Sequence, residues 1–324
     1  MRSASAVILV GGSGPSLLRS SFGMPVCLLP MPHAASLLAA WVELLDKNRS
    51  ISNITIVTGR RDDLSMIQEA IDRMPRREGC SLRAMIDRNE HRGTAGCVAD
   101  AMRDDTMDDD LLVIEGASLA PEKIDSVMDE DMHDDSVEGV FMRTPTSEPA
   151  GLFLLKRRVL DLVPDVGFFD LKEQLAQKVV SSGGRILVRP ISSSLRRITN
   201  PNDYINHLTE IDRQGRRNSR GGPWIHETAQ VDPTAIITET TLIGRDVQVG
   251  QNVVIDQSVI LDGAQIGSDA LVARSVISAK SQVPTRTRLV ESMEIGGDAR
   301  WNNRATGLKS LPLGNPEFTG RGRS

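Results

Sequence analysis

Residues 6–31 read AVILVGGSGPSLLRSSFGMPVCLLPM. Ala6 to Val10 is a short apolar run that fits a fully buried parallel strand, and Gly11, Gly12 and Gly14 follow it at once. Glycines at such a turn let the backbone bend sharply and bring its N–H groups, that of Ser13 included, up to an anion. Beyond Ser36 the residues Leu38, Trp41, Val42 and Leu45 recur at helical spacing. Strand, glycine loop and helix form a nucleotide-binding layout. Two familiar loops do not fit. A P-loop needs Gly-Lys-Ser/Thr five residues after its first glycine, and the first lysine of this chain is Lys47. A dinucleotide fingerprint needs a third glycine where Leu17 stands.

The spacing of Gly11, Gly12, Gly14, Leu17, Pro25, Leu28 and Pro30 resembles, without a gap, the GGxGTRL and xPLTxxxPKxLxPV opening of the sugar-nucleotide pyrophosphorylases. These are nucleotidyltransferases that join a nucleoside triphosphate to a sugar 1-phosphate. The departures lie at charged positions: the family's Arg falls on Ser16 and its Lys on Val26.

The resemblance runs on. His91-Arg92-Gly93-Thr94-Ala95-Gly96 is similar to the LGTAGA segment, in which a helix N-terminus faces the base and sugar. The resemblance therefore implies nucleotide contacts at Gly11, Gly12, Ser13, Gly14, Gly93, Thr94 and Ala95. Leu112 to Ala117 resembles the LVLNGD strand end, with Ala117 where the family has a magnesium-binding Asp. Pro149-Ala150-Gly151-Leu152-Phe153 is similar to the strand that approaches the sugar, which implies sugar contacts at Ala150 and Gly151. Phe169 to Leu175 resembles DLKEELIP, a segment shared with non-catalytic members of the superfamily. Ser194 to Tyr204 aligns on xWxDxGTPxDY: Pro201, Asp203 and Tyr204 match, and the second metal Asp falls on Arg197.

Four positions concerned with phosphate or metal are thus Ser16, Val26, Ala117 and Arg197. Nucleotidyl transfer depends on cations that neutralise the triphosphate and hold the attacking phosphate in line. One positioned group of this kind is typically worth ~10²–10³ in rate, so even partial additivity removes useful turnover. The expected state is a catalytically degenerate domain that needs no cofactor; magnesium belongs only to the alternative of an active enzyme with an unusual site. Arg197 has two readings: a guanidinium that binds phosphate oxygens in place of the metal, or a surface charge, solvated or paired with a local carboxylate such as Glu115.

Strands are expected at Ile54–Val57, Leu82–Ile86, Leu111–Ile114, Val137–Met142 and Leu152–Leu155, with helices around 62–74 and 94–103. This alternation predicts a Rossmann-like α/β domain with a mixed sheet over residues 1–214. Residues 215–223, with Arg216, Arg217, Arg220, Gly215, Gly221 and Gly222, read as a linker.

From Ile225 an aliphatic residue recurs every six positions, at Val231, Ile237, Ile243, Val249, Ile255 and Leu261. After shorter steps come Ile266, Val272, Ile277, Val283, Leu289 and Ile295. This is the hexapeptide register of a left-handed parallel β-helix, about four coils over residues 224–296. Hexapeptide acyltransferases share it, but His226 is the only histidine in the coils and no inserted loop interrupts them. Residues 297–324 form a basic tail, whose Trp301 and Leu-Pro-Leu segment suggest packing of its first part on the coil.

The net charge of −5 and pI near 5.6 give no electrostatic sign of nucleic acid. No apolar stretch approaches the ~20 residues of a membrane helix. Cys27, Cys80 and Cys97 lack metal-like or disulfide-like spacing, and the chain is expected to be cytoplasmic. Expected partners are a nucleotide or sugar nucleotide, and further copies or an active relative joined through the β-helix.

Overall fold

The computed structural model describes residues 3–11, 19, 24–31, 34–87, 89, 91–103, 110–120, 124, 134–144, 147–191, 197–198, 203–207, 222–238, 240–290, 293–294 and 311–312. Contacts divide the chain into one unit of Met1–Leu17 and Met24–Thr199 and a second of Leu18–Gly23 and Asn200–Ser324. The linker expected at 215–223 lies, but for Gly222 and Pro223, outside the described residues.

The first unit holds a seven-stranded sheet of β1 (Ala4–Leu9), β2 (Ile51–Thr58), β3 (Ser81–Ile86), β4 (Asp110–Glu115), β5 (Val137–Arg143), β6 (Pro149–Lys156) and β7 (Arg185–Pro190), in the order β3-β2-β1-β4-β6-β5-β7. β1 pairs in parallel with β2 and β4, whereas β6 runs antiparallel to both β4 and β5. Every strand expected from the sequence is present; the first, expected at Ala6–Val10, runs from Ala4 to Leu9, and the others are longer by one to three residues at one or both ends.

Successive residues of β1 point to opposite faces. Ala6 and Ile8 join a core with Leu38, Trp41, Val42 and Leu45 of α1 (Leu37–Lys47) and Ile67 and Ile71 of α2 (Arg61–Asp72). Val7 faces the other way, onto Val98 and Met102 of α3 (Gly93–Met102) and onto Leu171 and Leu175 of a wide helical turn, Leu171–Leu175, that leads into α4 (Ala176–Ser181). Helices therefore cover both faces of a sheet whose central strands are apolar on both sides. Ser36 caps α1, its hydroxyl accepting from the Ala39 N–H at 3.1 Å.

The second unit is a coil of three parallel sheets. One side stacks β8 (Trp224–Ile225), β11 (Leu242–Ile243), β14 (Val259–Ile260), β17 (Val276–Ile277) and β20 (Met293–Glu294). The next stacks β9 (Gln230–Val231), β12 (Gln248–Val249), β15 (Gln265–Ile266) and β18 (Gln282–Val283). The third stacks β10 (Ile236–Ile237), β13 (Val254–Asp256), β16 (Leu271–Ala273) and β19 (Thr287–Val290), and β21 (Leu311–Pro312) of the tail adds antiparallel to β19. This is the hexapeptide β-helix anticipated from the register, the class that winds left-handed, with Ile243, Val249, Ile255, Ile266 and Val272 in its core.

The register corrects the sequence at two points. Ile260, not Leu261, pairs with Ile243, and Glu294, not Ile295, pairs with Ile277. The cause is a tight corner. Gln257 and Arg274 take left-handed backbone, with φ of 44° and 45°, and Ser258 and Ser275 follow them directly. The turn is one residue shorter than its fellows, so a full coil takes 17 residues instead of 18. Both serines are fully buried; the Ser275 N–H donates to Ser258 Oγ at 3.0 Å, and each hydroxyl donates to the carbonyl two residues back, Asp256 or Ala273, at 2.7 Å.

Candidate functional site

In the order β3-β2-β1-β4 the chain turns back between β1 and β4, and ligands of open α/β sheets bind beyond the carboxyl ends of strands at such a switch point. There β1 runs through Val10 into Gly11, whose φ of 122° suits glycine alone. The Gly11 carbonyl accepts from the Gly59 N–H at 2.9 Å, which fixes the exit of the strand. Gly12, Ser13, Gly14 and Ser16 lie outside the described residues. Val26 opens a short helical turn, Val26–Leu28, and is half-buried.

Opposite Gly11, β4 ends in Glu115-Gly116-Ala117. The Gly116 N–H donates to the Leu9 carbonyl at 2.8 Å, and a Cβ at Gly116 would stand 2.8 Å from Ile8 Cγ2 and from Val10 Cγ1. A glycine is required for the two strand ends to come this close. Ala117 is held by its backbone, accepting from the Ile198 N–H at 2.8 Å, and Ser118 is bridged to Arg197. Trp41 braces the turn from α1, its Nε1 donating to the Ser118 carbonyl at 2.8 Å.

The side chains converge on Glu115. Lys172 Nζ lies 2.6 Å from Oε1, and Arg197 Nη1 lies 2.9 Å from Oε2, the latter an ion pair without hydrogen-bond alignment. Glu115 is nearly buried, while Lys172 and Arg197 are partly exposed, so the two cations close the carboxylate off from solvent. Lys172 also lies 5.8 Å from the centre of the Phe153 ring. Gly151, φ 72°, passes directly over the carboxylate: a Cβ there would stand 3.0 Å from both Cβ and Oε2 of Glu115. Ala150 is buried beside it in β6. The structure thus joins Ala117, Gly151 and Arg197, expected from the sequence, with Glu115 and Lys172. Of the readings open for Arg197, pairing with Glu115 is the one observed. Lys172 was not singled out by its motif; the cue available was an acidic Glu115 at a strand end where a neutral residue is usual.

Gly93, Thr94 and Ala95 are engaged with the segment before Lys172. The N–H groups of Ala95 and Gly96 both donate to the Phe169 carbonyl, at 3.1 and 3.2 Å, and a Cβ on Gly93 would meet that same oxygen at 2.6 Å. Thr94 Oγ1 donates to Asp170 Oδ2 and accepts from the Leu171 N–H, both at 2.9 Å. The free end of α3 is therefore capped by protein, and these N–H groups could reach a ligand only if Phe169 moved. Burial works to raise the Asp170 carboxyl, but bonds from the Glu173 N–H, the Thr94 hydroxyl and the Lys172 N–H outweigh it and hold the group below the usual carboxylate range. Nearby, burial and then the Asp87 carboxylate, 3.0 Å away, push the Cys97 thiol up to about 12, which removes its nucleophilicity.

Magnesium does not fit these residues. It takes carboxylate and carbonyl oxygens, the two positions at which the motif resemblance implies such ligands hold Ala117 and Arg197, and both oxygens of Glu115 are covered by cations. Among the described residues no group of three His, Cys, Asp or Glu side chains is placed to hold a metal ion.

In the coil, His226 Nδ1 lies 3.0 Å from Thr228 Oγ1 and accepts from the Thr228 N–H at 3.2 Å, so the ring caps its own turn. The coil is similar to a known domain. Residues 220–306 match the family model of the GMPPB C-terminal domain. That is the C-terminal domain of a sugar-nucleotide pyrophosphorylase family, the same family that the N-terminal motifs resemble. No curated protein matches the chain. Among the described residues no helix is long and apolar enough to cross a membrane.

Proposed function

We propose that the first unit is a catalytically degenerate relative of the sugar-1-phosphate nucleotidyltransferases. It takes a nucleotide or sugar nucleotide without metal and acts as a binding or assembly subunit through the GMPPB-type coil. One observation carries this reading: at the switch point, where the family's two metal carboxylates would stand, a single carboxylate is held between Lys172 and Arg197. The three groups sum to one positive charge, and a ligand diphosphate would compete with Glu115 for the two cations.

The chemistry available to this arrangement is limited to binding. Guanidinium and ammonium groups neutralise phosphate oxygens, and the Gly11 turn brings backbone close to them, but nothing described there orients an attacking phosphate. Two measurements test the reading. Pyrophosphate release over a panel of triphosphates and sugar 1-phosphates is expected to stay at background with or without magnesium. Calorimetry with sugar nucleotides is expected to give the same affinity in chelator as in magnesium. Magnesium-dependent turnover would establish the active-enzyme alternative instead.

A further inference from the structure

The three sides of the coil differ in what they present outward. On the first, the outward residues Leu242, Val259 and Val276 are apolar and buried. On the third they are Ile236, Val254, Leu271 and Arg288. On the second they are all glutamine: Gln230, Gln248, Gln265 and Gln282, each next to an inward aliphatic residue. The pairing sets Gln248 directly beside both Gln230 and Gln265, and Gln265 beside Gln282. Parallel strands lie about 4.8 Å apart, so the amides form a straight ladder roughly 14 Å long.

All four side chains are exposed, and none hydrogen-bonds to another described residue. They line a shallow groove of about 790 Å³ in which Asp232, at the first coil, is the one charged residue among the described residues. The glycines beside the ladder have a separate explanation: a Cβ on Gly250 or Gly267 would come within 2.8 Å of Ser268 N or 2.6 Å of Thr285 N in the next coil. No such constraint selects glutamine. An exposed strand face is normally studded with charges of both signs, which keep it apart from other sheets. This one lacks them on four successive rungs.

We propose that the glutamine ladder is a docking face for a second copy of this chain, related by a two-fold axis that passes between Gln248 and Gln265. An amide carries both a donor and an acceptor, so a ladder of amides is complementary to itself when turned end for end. The axis sets Gln248 against Gln265 of the partner subunit and Gln230 against Gln282 of the partner subunit. It also keeps the two Asp232 carboxylates at opposite ends of the contact, where each faces the uncharged rim around Pro284 and Thr285. Parallel ladders would instead bring Asp232 against its own copy. One coil side is small for an interface, so the association is expected to be reversible and weak.

This inference rests on the assembly reading above and names its surface. Sedimentation velocity of the full chain over about 1–200 µM tests both. The wild type is expected to dimerise reversibly. Q248K/Q265K sets lysine against lysine and is expected to stay monomeric, whereas Q248K/Q265E sets lysine against glutamate and is expected to dimerise again. Thermal melts should match the wild type, since the side chains are exposed. If Q248K/Q265K does not fold, Q230R/Q282R serves at the outer rungs and is likewise expected to stay monomeric. A wild type monomeric at 200 µM overturns the ladder and the assembly reading together. Oligomers that persist in the charged variants overturn the ladder alone and leave assembly to another face.

Discussion

Arg197 places Nη1 2.9 Å from Oε2 of Glu115, so a guanidinium stands where the family resemblance calls for a second metal carboxylate, and it neutralises a carboxylate of this chain instead. Where the resemblance implies a metal ligand, the structure has an ion pair. A reversion at Arg197 alone would leave Glu115 beside a new acid with only Lys172 to offset them.

Glu115→Gln is expected to free both cations for a ligand. Binding of inorganic pyrophosphate, read by calorimetry in chelator, should tighten about tenfold. Unchanged or weaker binding would show that Lys172 and Arg197 do not face the ligand. The fold should lose only about 1 kcal/mol, because both cations are partly exposed.

Restoring both acids, A117D with R197D, is expected to bring back a metal requirement. Triphosphate affinity should then rise at least about tenfold on adding magnesium, while the parent shows no change. Equal behaviour of parent and variant would mean that the Gly11 loop no longer admits a triphosphate.

Gly151→Ala is expected to destabilise the first unit by about 1–3 kcal/mol, read in urea melts. Two costs add. The residue sits at φ 72°, and its Cβ would press within 3.0 Å of Glu115 Oε2. A change of under about 0.5 kcal/mol would argue against the tight passage of β6 over the carboxylate.

Asp100 holds the buried Arg92 at 3.1 Å. Burial acts to raise its carboxyl, but bonds from Arg92, Asn89 and Arg103 outweigh that and lower it. Asp170 is lowered in the same sense. A carboxyl depressed in the fold stabilises above its unfolded value and loses that contribution as pH falls through the folded one. Stability should thus be level above roughly pH 5 and fall below about pH 4. Asp100→Ala should cost about 3 kcal/mol at neutral pH and flatten the acid limb. A parent-like acid limb in the variant would count against this assignment.

Ser258→Ala removes the acceptor of the buried Ser275 N–H. A loss of about 1–3 kcal/mol in thermal or urea melts is expected, and Ser258→Thr should recover part of it.

Both folds were legible because their signals are periodic. Ala6–Val10 can be little other than a buried strand, and aliphatic residues every six positions admit few architectures. The register slipped at Leu261 because the short corner at Gln257-Ser258 contains no glycine, and Leu261 is as buried as Ile260. The triad was harder to read. Glu115, Lys172 and Arg197 are 57 and 25 residues apart along the chain, and only β4, the turn at Leu171 and the bridge at Ser118 bring them together. The closed end of α3 was equally hidden, since nothing in Gly93-Thr94-Ala95 foretells a carbonyl from Phe169.

The corner at Gln257 has one more consequence. From the second coil onward every column, in the core, at the corners and along the amides, returns after 17 residues. Any window of that length is therefore a complete and interchangeable unit. Duplicating Ile260–Val276 would lengthen the domain by a single rung of roughly 4.8 Å and disturb no pairing on either side of the insertion. The coil is in effect a ruler graduated in the gene, and its reach can be reset one notch at a time.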